Sequence, residues 1–460
     1  MREEAAENLK RLLLKLPEWA PAGPSLRIPS RLNLEQCSSS ATARYKAALA
    51  ARIISETPVE PSTLCDVSEN LMNGATEGVR GKYPPVINAV ADLTGGLGAD
   101  SWAFAQICDS VLYNEMNREL AAAVKSNFQA LGVHNVVFRN CELVPGRAGE
   151  ILDGFRPDLI FMDPARRGAV GQKVFRLEDC QPNVLELKEE LLALCPNLLL
   201  KLSPMADISL LCRQLGTEVR EVHCVGTGGE CKELLVWLQK GWDKGVSICV
   251  AGDLNVTKAS SGQDSASGIC RQNSVCDYSP VLSFTPEEEA AAAVKFFADG
   301  EELAGTAGLM FEPSAVTMKA GCFRLLCSRF GLTKLGRSTQ LYVVSCGDSC
   351  AISDCVSVSY DELCRLGKLF RIKRIIPFNG ASAAALGREF PCCEVSARNM
   401  PLSSDELRRR MKCKSGGSVH IFAAGVDFTG SSLDSTSGEY RIGRGAAGKS
   451  GRYLFVTERV

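Results

Sequence analysis

The chain has 460 residues, of which 45% are hydrophobic and 23% charged, and its formal net charge is −1. A chain of this length exceeds one ordinary domain core, so we expect two or three domains. The near-neutral charge excludes attraction of nucleic acid through bulk electrostatics and leaves only a local basic patch for that purpose. The N-terminus is charged and no apolar run is long enough to span a bilayer, which predicts a cytoplasmic protein.

The 21 cysteines are scattered along the chain. Cys392 and Cys393 are adjacent, but no Cys-x-x-Cys pair repeats or combines with the three histidines. We therefore expect reduced thiols that pack as small apolar side chains, and no bound metal.

Residues 1–80 predict an N-terminal helical region. Apolar side chains recur at helical spacing from Leu9 to Trp19, prolines then interrupt the pattern, and a second helix is expected from Ala41 to Ile54. We expect a small helical domain or a cap over a functional site.

Residues 81–284 predict a doubly wound, Rossmann-like α/β domain, because short apolar runs alternate with helical segments. A helix with Gly132 as its stop is expected between the second and third strands. The last two strands are separated by a short glycine-rich segment, so they must pair antiparallel. The prediction is a mostly parallel sheet of seven strands: Val86–Leu93, Ser110–Asn114, Asn135–Arg139, Asp158–Met162, Asn197–Leu202, Val219–Val225 and Leu234–Gln239.

Residues 255–278 are rich in Ser, Gly, Asn and Gln and predict a long exposed loop. A helix is expected to begin near Thr285, because Pro286 suits a first turn and three glutamates follow it. Residues 285–380 and 381–460 mix short strands with helices and predict an α+β region of two small domains.

A glycine-rich loop, Asp92 to Gly98, follows the first predicted strand and reads Asp-Leu-Thr-Gly-Gly-Leu-Gly. Small residues let the backbone pass close to a bound cofactor, where a Cβ would collide. The alternative is an ordinary tight turn between strand and helix. On the first interpretation Asp92, Thr94, Gly96 and Gly98 line the cofactor.

Two carboxylates follow the next two predicted strands. Glu115 stands about twenty residues after the loop, where an acidic side chain can accept both hydroxyl hydrogens of a ribose. Glu142 stands just past the third strand, in reach of an adenine. Each alone is compatible with a solvated residue at a strand end, but together they favour an adenosyl cofactor.

The charge of Asp92 distinguishes two adenosyl cofactors. A dinucleotide places its pyrophosphate at a helix N-terminus, usually after Gly-x-Gly-x-x-Gly. The Asp92 carboxylate would repel a pyrophosphate and attract the ammonium group of a methionine moiety. This sign favours S-adenosylmethionine over a dinucleotide.

A second loop, Asp163 to Gly168, follows the fourth predicted strand and reads Asp-Pro-Ala-Arg-Arg-Gly. Ligands of doubly wound sheets bind at the carboxyl ends of the strands, so this loop should face the same crevice. Asp163 can accept a hydrogen bond from an exocyclic amine, Pro164 fixes the direction of the loop, and Arg166 can contact a phosphate or neighbouring structure. The alternative is a strand stopped by proline and followed by solvated arginines.

These features resemble class I S-adenosylmethionine-dependent methyltransferases, and more closely bacterial methyltransferases with a C-terminal THUMP-like domain. The resemblance covers nearly the whole chain. It rests on Leu34–Ser38, Asp92–Gly96, Asp163–Arg167, Lys201–Met205, Glu230–Leu234, Phe311–Pro313 and Arg398–Leu402. It implies S-adenosylmethionine as cofactor, a ferredoxin-like region over 285–380, a THUMP-like domain over 381–460, and structured RNA as partner.

Two departures bear on the substrate. Ala165 replaces the second proline of the Asp-Pro-Pro-Arg loop found in enzymes that modify RNA bases. Enzymes that methylate a pyrimidine carbon carry a cysteine at the end of the next strand, whereas this chain has Lys201 there and Cys195 before the strand. We therefore expect transfer to a base nitrogen, with guanine favoured, and Lys201 either in the crevice or in a structural ion pair.

Other functions remain open on the sequence alone. Basic stretches at Arg371–Arg374 and Arg408–Lys414 can contact phosphates or form the solvated face of a helix. The alternatives are a methyltransferase acting on DNA, protein or a small molecule, and a non-catalytic RNA-binding protein on a methyltransferase scaffold.

Overall fold

The computed structural model describes residues 2–57, 88–166, 176–254, 279–345, 360–429 and 450–460. The chain forms two compact units, one made mainly of residues up to 247 and one mainly of the residues that follow. The predicted boundary between residues 80 and 81 and the predicted loop at 255–278 lie outside the described residues. The division into four domains therefore stays a prediction.

The N-terminal region is helical, as predicted. Its helices are α1 (Arg2–Lys15), α2 (Arg31–Gln36) and α3 (Ser40–Glu56), with a 3-10 segment at Pro17–Ser25. Ser30 and Ser39 cap α2 and α3 by accepting backbone N–H groups of Asn33 and Thr42. All three helices belong to the first compact unit.

The first unit also contains a doubly wound sheet, and each of the seven predicted strands is present. The strands up to residue 239 are β1 (Ala89–Asp92), β2 (Ser110–Asn114), β3 (Val136–Arg139), β4 (Leu159–Met162), β5 (Ala165–Arg166), β6 (Cys180–Gln181), β7 (Asn197–Leu202), β8 (Val219–Thr227) and β9 (Glu230–Gln239). Strands β5 and β6 form a separate antiparallel pair.

The other seven strands lie in one sheet in the order β3-β2-β1-β4-β7-β9-β8. The first five are parallel, and β9 is antiparallel to β7. Strands β1 and β4 are buried along their whole length, which explains their continuous apolar runs. The predicted fold class is confirmed.

The final hairpin is tighter than the sequence suggests. Strands β8 and β9 extend to Thr227 and from Glu230, so only Gly228 and Gly229 connect them. Both glycines have positive φ, +62° and +80°, which matches the two-residue turns that join antiparallel strands.

Helices cover the sheet. They are α4 (Ala99–Ala105), α5 (Arg118–Ala130), α6 (Ala148–Leu152), α7 (Val184–Leu194) and α8 (Ile208–Leu215). Leu120, Val124 and Phe128 bury one face of α5, and Gly132 follows its end with a φ of +70°. Helix α3 packs against α4, so the N-terminal region contacts the sheet domain directly.

The second unit contains an eight-stranded sheet. From residue 247 the strands are β10 (Ser247–Asp253), β11 (Leu282–Phe284), β12 (Lys295–Phe296), β13 (Gly308–Pro313), β14 (Thr333–Lys334), β15 (Tyr342–Ser345), β16 (Gly367–Pro377), β17 (Glu394–Arg398), β18 (Val419–Asp427) and β19 (Ser450–Arg459). The sheet has the order β12-β14-β15-β13-β16-β19-β18-β17, and β10 pairs antiparallel with β11.

The helices of the second unit are α9 (Pro286–Ala291), α10 (Gly300–Ala304), α11 (Ala315–Ala320), α12 (Leu325–Phe330), α13 (Tyr360–Leu366), α14 (Gly380–Glu389) and α15 (Ser404–Met411). The predicted start of α9 is confirmed, because Thr285 and Glu288 cap each other reciprocally. Two apolar clusters, around Leu386 and around Phe422, form the core of the second unit. No helix among the described residues is long and apolar enough to cross a membrane.

Candidate active site

The glycine loop runs from the end of β1 to the start of α4, and its glycines serve two purposes. A Cβ on Gly95 would lie 2.1 Å from the ring of Tyr113, and one on Gly98 would lie 2.8 Å from Val124. Both glycines are therefore needed for packing. Gly96, with a φ of +53°, has only the Thr94 carbonyl oxygen near its missing Cβ, at 3.9 Å. Open space beside the chain is thus found at Gly96.

Glu115 lies at the end of β2 and holds this loop. One carboxylate oxygen accepts the N–H of Gly96 at 3.0 Å, and the other accepts the N–H of Asn117 at 2.8 Å. The side chain of Asn114 also bridges two loops, because its amide donates to the carbonyls of Leu93 and Cys141, each at 3.1 Å. Glu115 and Gly96, each predicted to line the cofactor, are therefore in direct contact.

Glu142 lies in the loop after β3 and is exposed. The preceding residue, Cys141, is tied to the site because its N–H donates to the Asn114 side-chain oxygen at 3.0 Å. The structure brings this loop to the same edge of the sheet as Glu115. Contact of Glu142 with an adenine stays a prediction.

Asp92 is only 1% exposed and lies beneath the loop. One carboxylate oxygen accepts the Thr94 N–H at 3.2 Å, and the other accepts the Ser101 hydroxyl at 2.5 Å. Burial raises the pKa of Asp92 to about 7, against the opposing effect of these hydrogen bonds. The expected direct attraction between Asp92 and an ammonium group finds no support in this geometry, which favours a role in supporting the loop.

Asp163 follows β4 and meets the glycine loop. Its backbone N–H donates to the Thr94 hydroxyl oxygen at 2.6 Å. Its carboxylate forms an ion pair with Lys201, at the carboxyl end of β7. Because β4 and β7 are parallel neighbours, with Met162 opposite Leu200, the two side chains leave the sheet side by side.

The sequence left open whether Lys201 lies in the crevice or in a structural ion pair, and the structure answers this. Burial lowers the pKa of Lys201, but the negative charges of Asp163, Asp100 and Glu233 outweigh it and raise the pKa above its ordinary value. Lys201 is therefore a charged lysine, both ion-paired and placed at the strand ends.

The rest of the second loop is described only in part. Pro164 is buried behind Asp163, and the backbone of Arg166 pairs with Cys180 in the β5–β6 pair. The side chain of Arg166 and the whole of Arg167 lie outside what the structure describes. A phosphate contact by Arg166 stays a prediction.

Cys195 lies at the amino end of β7, at the opposite end of this strand from Lys201. Its thiol donates to the carbonyl of Asn197 at 3.2 Å, and burial raises the pKa of Cys195 to about 12. This position and protonation exclude Cys195 as a nucleophile at the carboxyl ends of the strands. The fifteen cysteines in the described ranges are free thiols.

Sequence reasoning missed several polar groups that support the site. Asn114 and Ser101 stand on otherwise buried elements, and a polar residue in such a position was the available signal. Lys46, Asp100 and Glu233 form a buried charged cluster from three separate elements. Nothing in their local sequence indicates that they meet.

Comparisons with known proteins bear on the fold and the domains. A family model described as a ferredoxin-like domain matches residues 310–346, and one described as THUMP domain-like matches residues 367–432. No curated protein matches the chain. Among solved structures, a protein of Porphyromonas gingivalis W83 proposed to be a methyltransferase is 27% identical, with 99% of this chain and 88% of that chain covered and a TM-score of 0.67.

Two further structures match only part of the chain. An rRNA methylase from Streptococcus thermophilus is 17% identical, with 33% of this chain and 86% of that chain covered and a TM-score of 0.24. A Thermus thermophilus 16S rRNA N2 G1207 methyltransferase, in complex with AdoMet and guanosine, is 16% identical, with coverages of 40% and 44% and a TM-score of 0.24.

The parallel sheet with its antiparallel β9, the glycine loop and the acidic end of β2 define a class I methyltransferase fold. With its matches to a ferredoxin-like and a THUMP domain-like model, the chain is similar over nearly its whole length to the Porphyromonas gingivalis protein.

The buried Asp92 predicts a pH-dependent stability of the first unit. The pKa of Asp92 is about 7 in the folded protein and about 4 in the unfolded chain. Between these pH values the folded protein keeps a proton that the unfolded chain has lost, so the free energy of unfolding falls as the pH rises. Asp92→Asn retains the shape and cannot ionise. We expect its stability relative to wild type to rise by on the order of 4 kcal/mol between those pH values.

The four tryptophans, at positions 19, 102, 237 and 242, all lie in the first unit, so their fluorescence during urea unfolding gives the measurement. Asp153→Asn, at an exposed aspartate, is the matched control. Parallel pH curves for Asp92→Asn and wild type would contradict the assignment.

Proposed function

We propose that this protein is an S-adenosylmethionine-dependent methyltransferase that methylates a nitrogen of an RNA base, with guanine favoured. The observation that carries the proposal is the direct link between the two predicted loops. Thr94 of the glycine loop accepts the backbone N–H of Asp163 at 2.6 Å, so the cofactor loop and the reaction loop share one rigid contact. Methyl transfer depends largely on positioning, and this contact provides it.

The residues present fit the proposed cofactor. Gly96 offers open space beside the backbone, and each Glu115 oxygen, although it accepts one N–H, has a further acceptor direction for a ribose hydroxyl. S-adenosylmethionine supplies a methyl group on a positively charged sulfur. Around this position acidic side chains outnumber basic ones, which favours a cationic ligand. The acids are Asp100, Asp163 and Glu233, and the bases are Lys46 and Lys201. Asp92 adds less than a full negative charge, because its pKa is raised to about 7.

We assign to Asp163 the binding of the amine that receives the methyl group. Lys201 holds one carboxylate oxygen, and the other has no hydrogen-bond partner among the described residues. That oxygen can accept an N–H of an exocyclic amine and so turn the nitrogen lone pair toward the methyl group. After transfer the amine nitrogen carries a positive charge and releases a proton, for which the Asp163 carboxylate is the acceptor at hand.

Guanine is favoured because of the arrangement of its hydrogen-bond donors. Its Watson–Crick edge presents two adjacent N–H donors, at N1 and N2, beside the O6 acceptor. Asp163 can accept from the donors while the neighbouring Lys201 donates to the oxygen. Adenine and cytosine each present one donor beside a ring-nitrogen acceptor, which matches a carboxylate less fully.

RNA is favoured by the THUMP-like domain, since THUMP domains bind structured RNA in other modifying enzymes that this chain resembles. Many of its basic residues are already paired: Arg408 with Asp405, Arg410 with Glu406, and Arg374 with Glu389. Among the described residues, Arg409 donates only to the backbone carbonyl of Asp405, and Glu458, which stands opposite Arg371, forms its ion pair with Lys373. These two arginines are the stronger candidates for phosphate contacts.

Methyl transfer from labelled S-adenosylmethionine to total RNA of a strain that lacks this protein tests the proposal. We expect label in RNA, and a fall in rate of at least about 100-fold for Asp163→Asn, because the amide cannot take the proton. Asp158→Asn changes the residue before the amino end of the same strand, and we expect it to retain activity.

Label in DNA, protein or small molecules would overturn the RNA assignment. Bound cofactor with no label in any fraction would favour the non-catalytic scaffold. Label at a pyrimidine carbon would contradict transfer to nitrogen.

Glu115 should determine cofactor affinity. Glu115→Gln replaces one acceptor oxygen by an NH2 group, which opposes a backbone N–H and cannot accept a ribose hydroxyl. We expect calorimetry to show S-adenosylmethionine binding weakened by roughly 10- to 100-fold. Glu119→Gln, on the exposed first turn of α5, is the matched control and should bind as wild type does. Equal affinity of both variants would remove Glu115 from the cofactor site.

The two kinds of arginine in α15 give a matched test of RNA contact. We expect Arg409→Ala to weaken RNA binding and to reduce the slope of log affinity against log salt by about 0.7 to 0.9, the effect of one lost phosphate contact. Arg410→Ala removes an arginine already paired with Glu406 and should change the slope less. Identical slopes for wild type and Arg409→Ala would exclude this face of α15.

A further inference from the structure

The N-terminal helix α3 carries a fully buried lysine into the first unit. Lys46 is 0% exposed, and its ammonium group lies 2.7 and 2.9 Å from the two carboxylate oxygens of Glu233 on β9. It also lies 3.2 Å from an Asp100 oxygen on α4 and 3.2 Å from the Ser38 hydroxyl. Lys46 is therefore shared between two carboxylates from elements distant in sequence.

Polar contacts, with one covalent step along α4 from Asp100 to Ser101, connect this cluster to the candidate active site. The Ser38 hydroxyl donates to the second Asp100 oxygen at 2.9 Å. The next residue on α4, Ser101, donates to Asp92, which accepts from Thr94. Thr94 in turn accepts from Asp163, the partner of Lys201. The complete route is Glu233, Lys46, Ser38, Asp100, Ser101, Asp92, Thr94, Asp163 and Lys201.

Two lysines, Lys46 and Lys201, compensate the negative charges of the carboxylates in this region. Lys201 is in ion-pair contact with Asp163 and stands opposite Leu235 on β9. Glu233, two residues from Leu235, therefore lies on the same face of the sheet as Lys201. Lys46 contacts Asp100 and Glu233. A buried carboxylate left without a cation is strongly destabilising. If Lys46 were absent, Lys201 would be the nearest charge available to compensate both carboxylates, at the expense of Asp163.

We propose that Lys46 is a positioning residue for the reaction: by neutralising Glu233 and Asp100 it leaves Lys201 committed to Asp163, so that the N-terminal helical region is a working part of the active site. This inference rests on the proposed role of Asp163. It also gives a reason for two of the motifs that carry the family resemblance, because Ser38 ends the first of them and Glu233 lies within Glu230–Leu234.

The effect of Lys46 should appear in the rate and not in cofactor affinity. For Lys46→Met we expect kcat per folded molecule to fall about tenfold or more, since the acceptor-binding carboxylate loses its fixed partner. Cofactor affinity by calorimetry should stay within about twofold, because Glu115 and Gly96 are unchanged. The matched control is Lys188→Met, which removes an ion-paired lysine of α7 in the same unit and should leave kcat unchanged.

A double variant separates positioning from stability. Lys46→Met alone leaves two carboxylates uncompensated and can unfold the protein, whereas Lys46→Met with Glu233→Met replaces the pair by apolar side chains of similar volume, a change that buried pairs often tolerate. The double variant also removes the Glu233 carboxylate, which would compete with Asp163 for Lys201. We expect the double variant to regain at least about threefold of the kcat lost in Lys46→Met. Loss of kcat in proportion to unfolded protein would instead assign Lys46 a purely structural role.

A crystal structure of the single or double variant gives a readout that does not depend on activity. In Lys46→Met we expect the Lys201 ammonium group to have left Asp163 for Glu233. In the double variant we expect it to lie again on Asp163, because Glu233 is gone and Asp100 still accepts the Ser38 hydroxyl. An unmoved Lys201 in Lys46→Met, or an unchanged kcat, overturns the inference. If wild type transfers no methyl group to any acceptor, the proposed function fails, while the position of Lys201 still decides the division of charges.

Discussion

The ion pair between Lys201 and Asp163 is the interaction on which the candidate site depends. It joins the carboxyl ends of β7 and β4, which are parallel neighbours in the centre of the sheet. Parallel strands bring such residues together by register alone, whatever their separation in sequence. The contact from Asp163 to Thr94 then extends the same arrangement to β1, so that three strand ends are held by two side-chain contacts. A reaction that relies on orientation benefits from this rigidity.

The carboxyl groups of the site differ in whether a cation lies beside them. Asp92 is surrounded by hydrogen bonds and sits partly protonated near neutral pH, whereas Asp163 is held against a lysine. The same chemical group thus supports the loop in one place and, at Asp163, is the proposed hydrogen-bond acceptor in the other. The difference lies in the neighbouring groups, because burial without a cation raises the pKa of a carboxyl. A cationic cofactor fits the remaining acidic excess better than an anionic one.

Much of the positive charge of the second unit is neutralised by nearby acidic side chains. Most arginines of α15 and β16 are bound to acids of the same unit, which reduces the field that RNA would meet. The near-neutral net charge of the whole chain agrees with this pairing. If the THUMP-like domain binds RNA, shape and a few unpaired arginines such as Arg371 and Arg409 must provide more of the affinity than bulk electrostatics does.

The sequence by itself determined the order and class of the elements. The seven strands, the stop at Gly132 and the start at Pro286 follow from local apolar periodicity and local capping chemistry, and the strand ends placed Glu115 and Asp163 at one edge. Only the tertiary structure decided what each side chain does there. Gly95 and Gly98 serve packing, Asp92 is buried, and Lys46 reaches Glu233 from a helix far away in sequence. Local patterns hold no information on such contacts, because burial and charge pairing depend on which elements pack together.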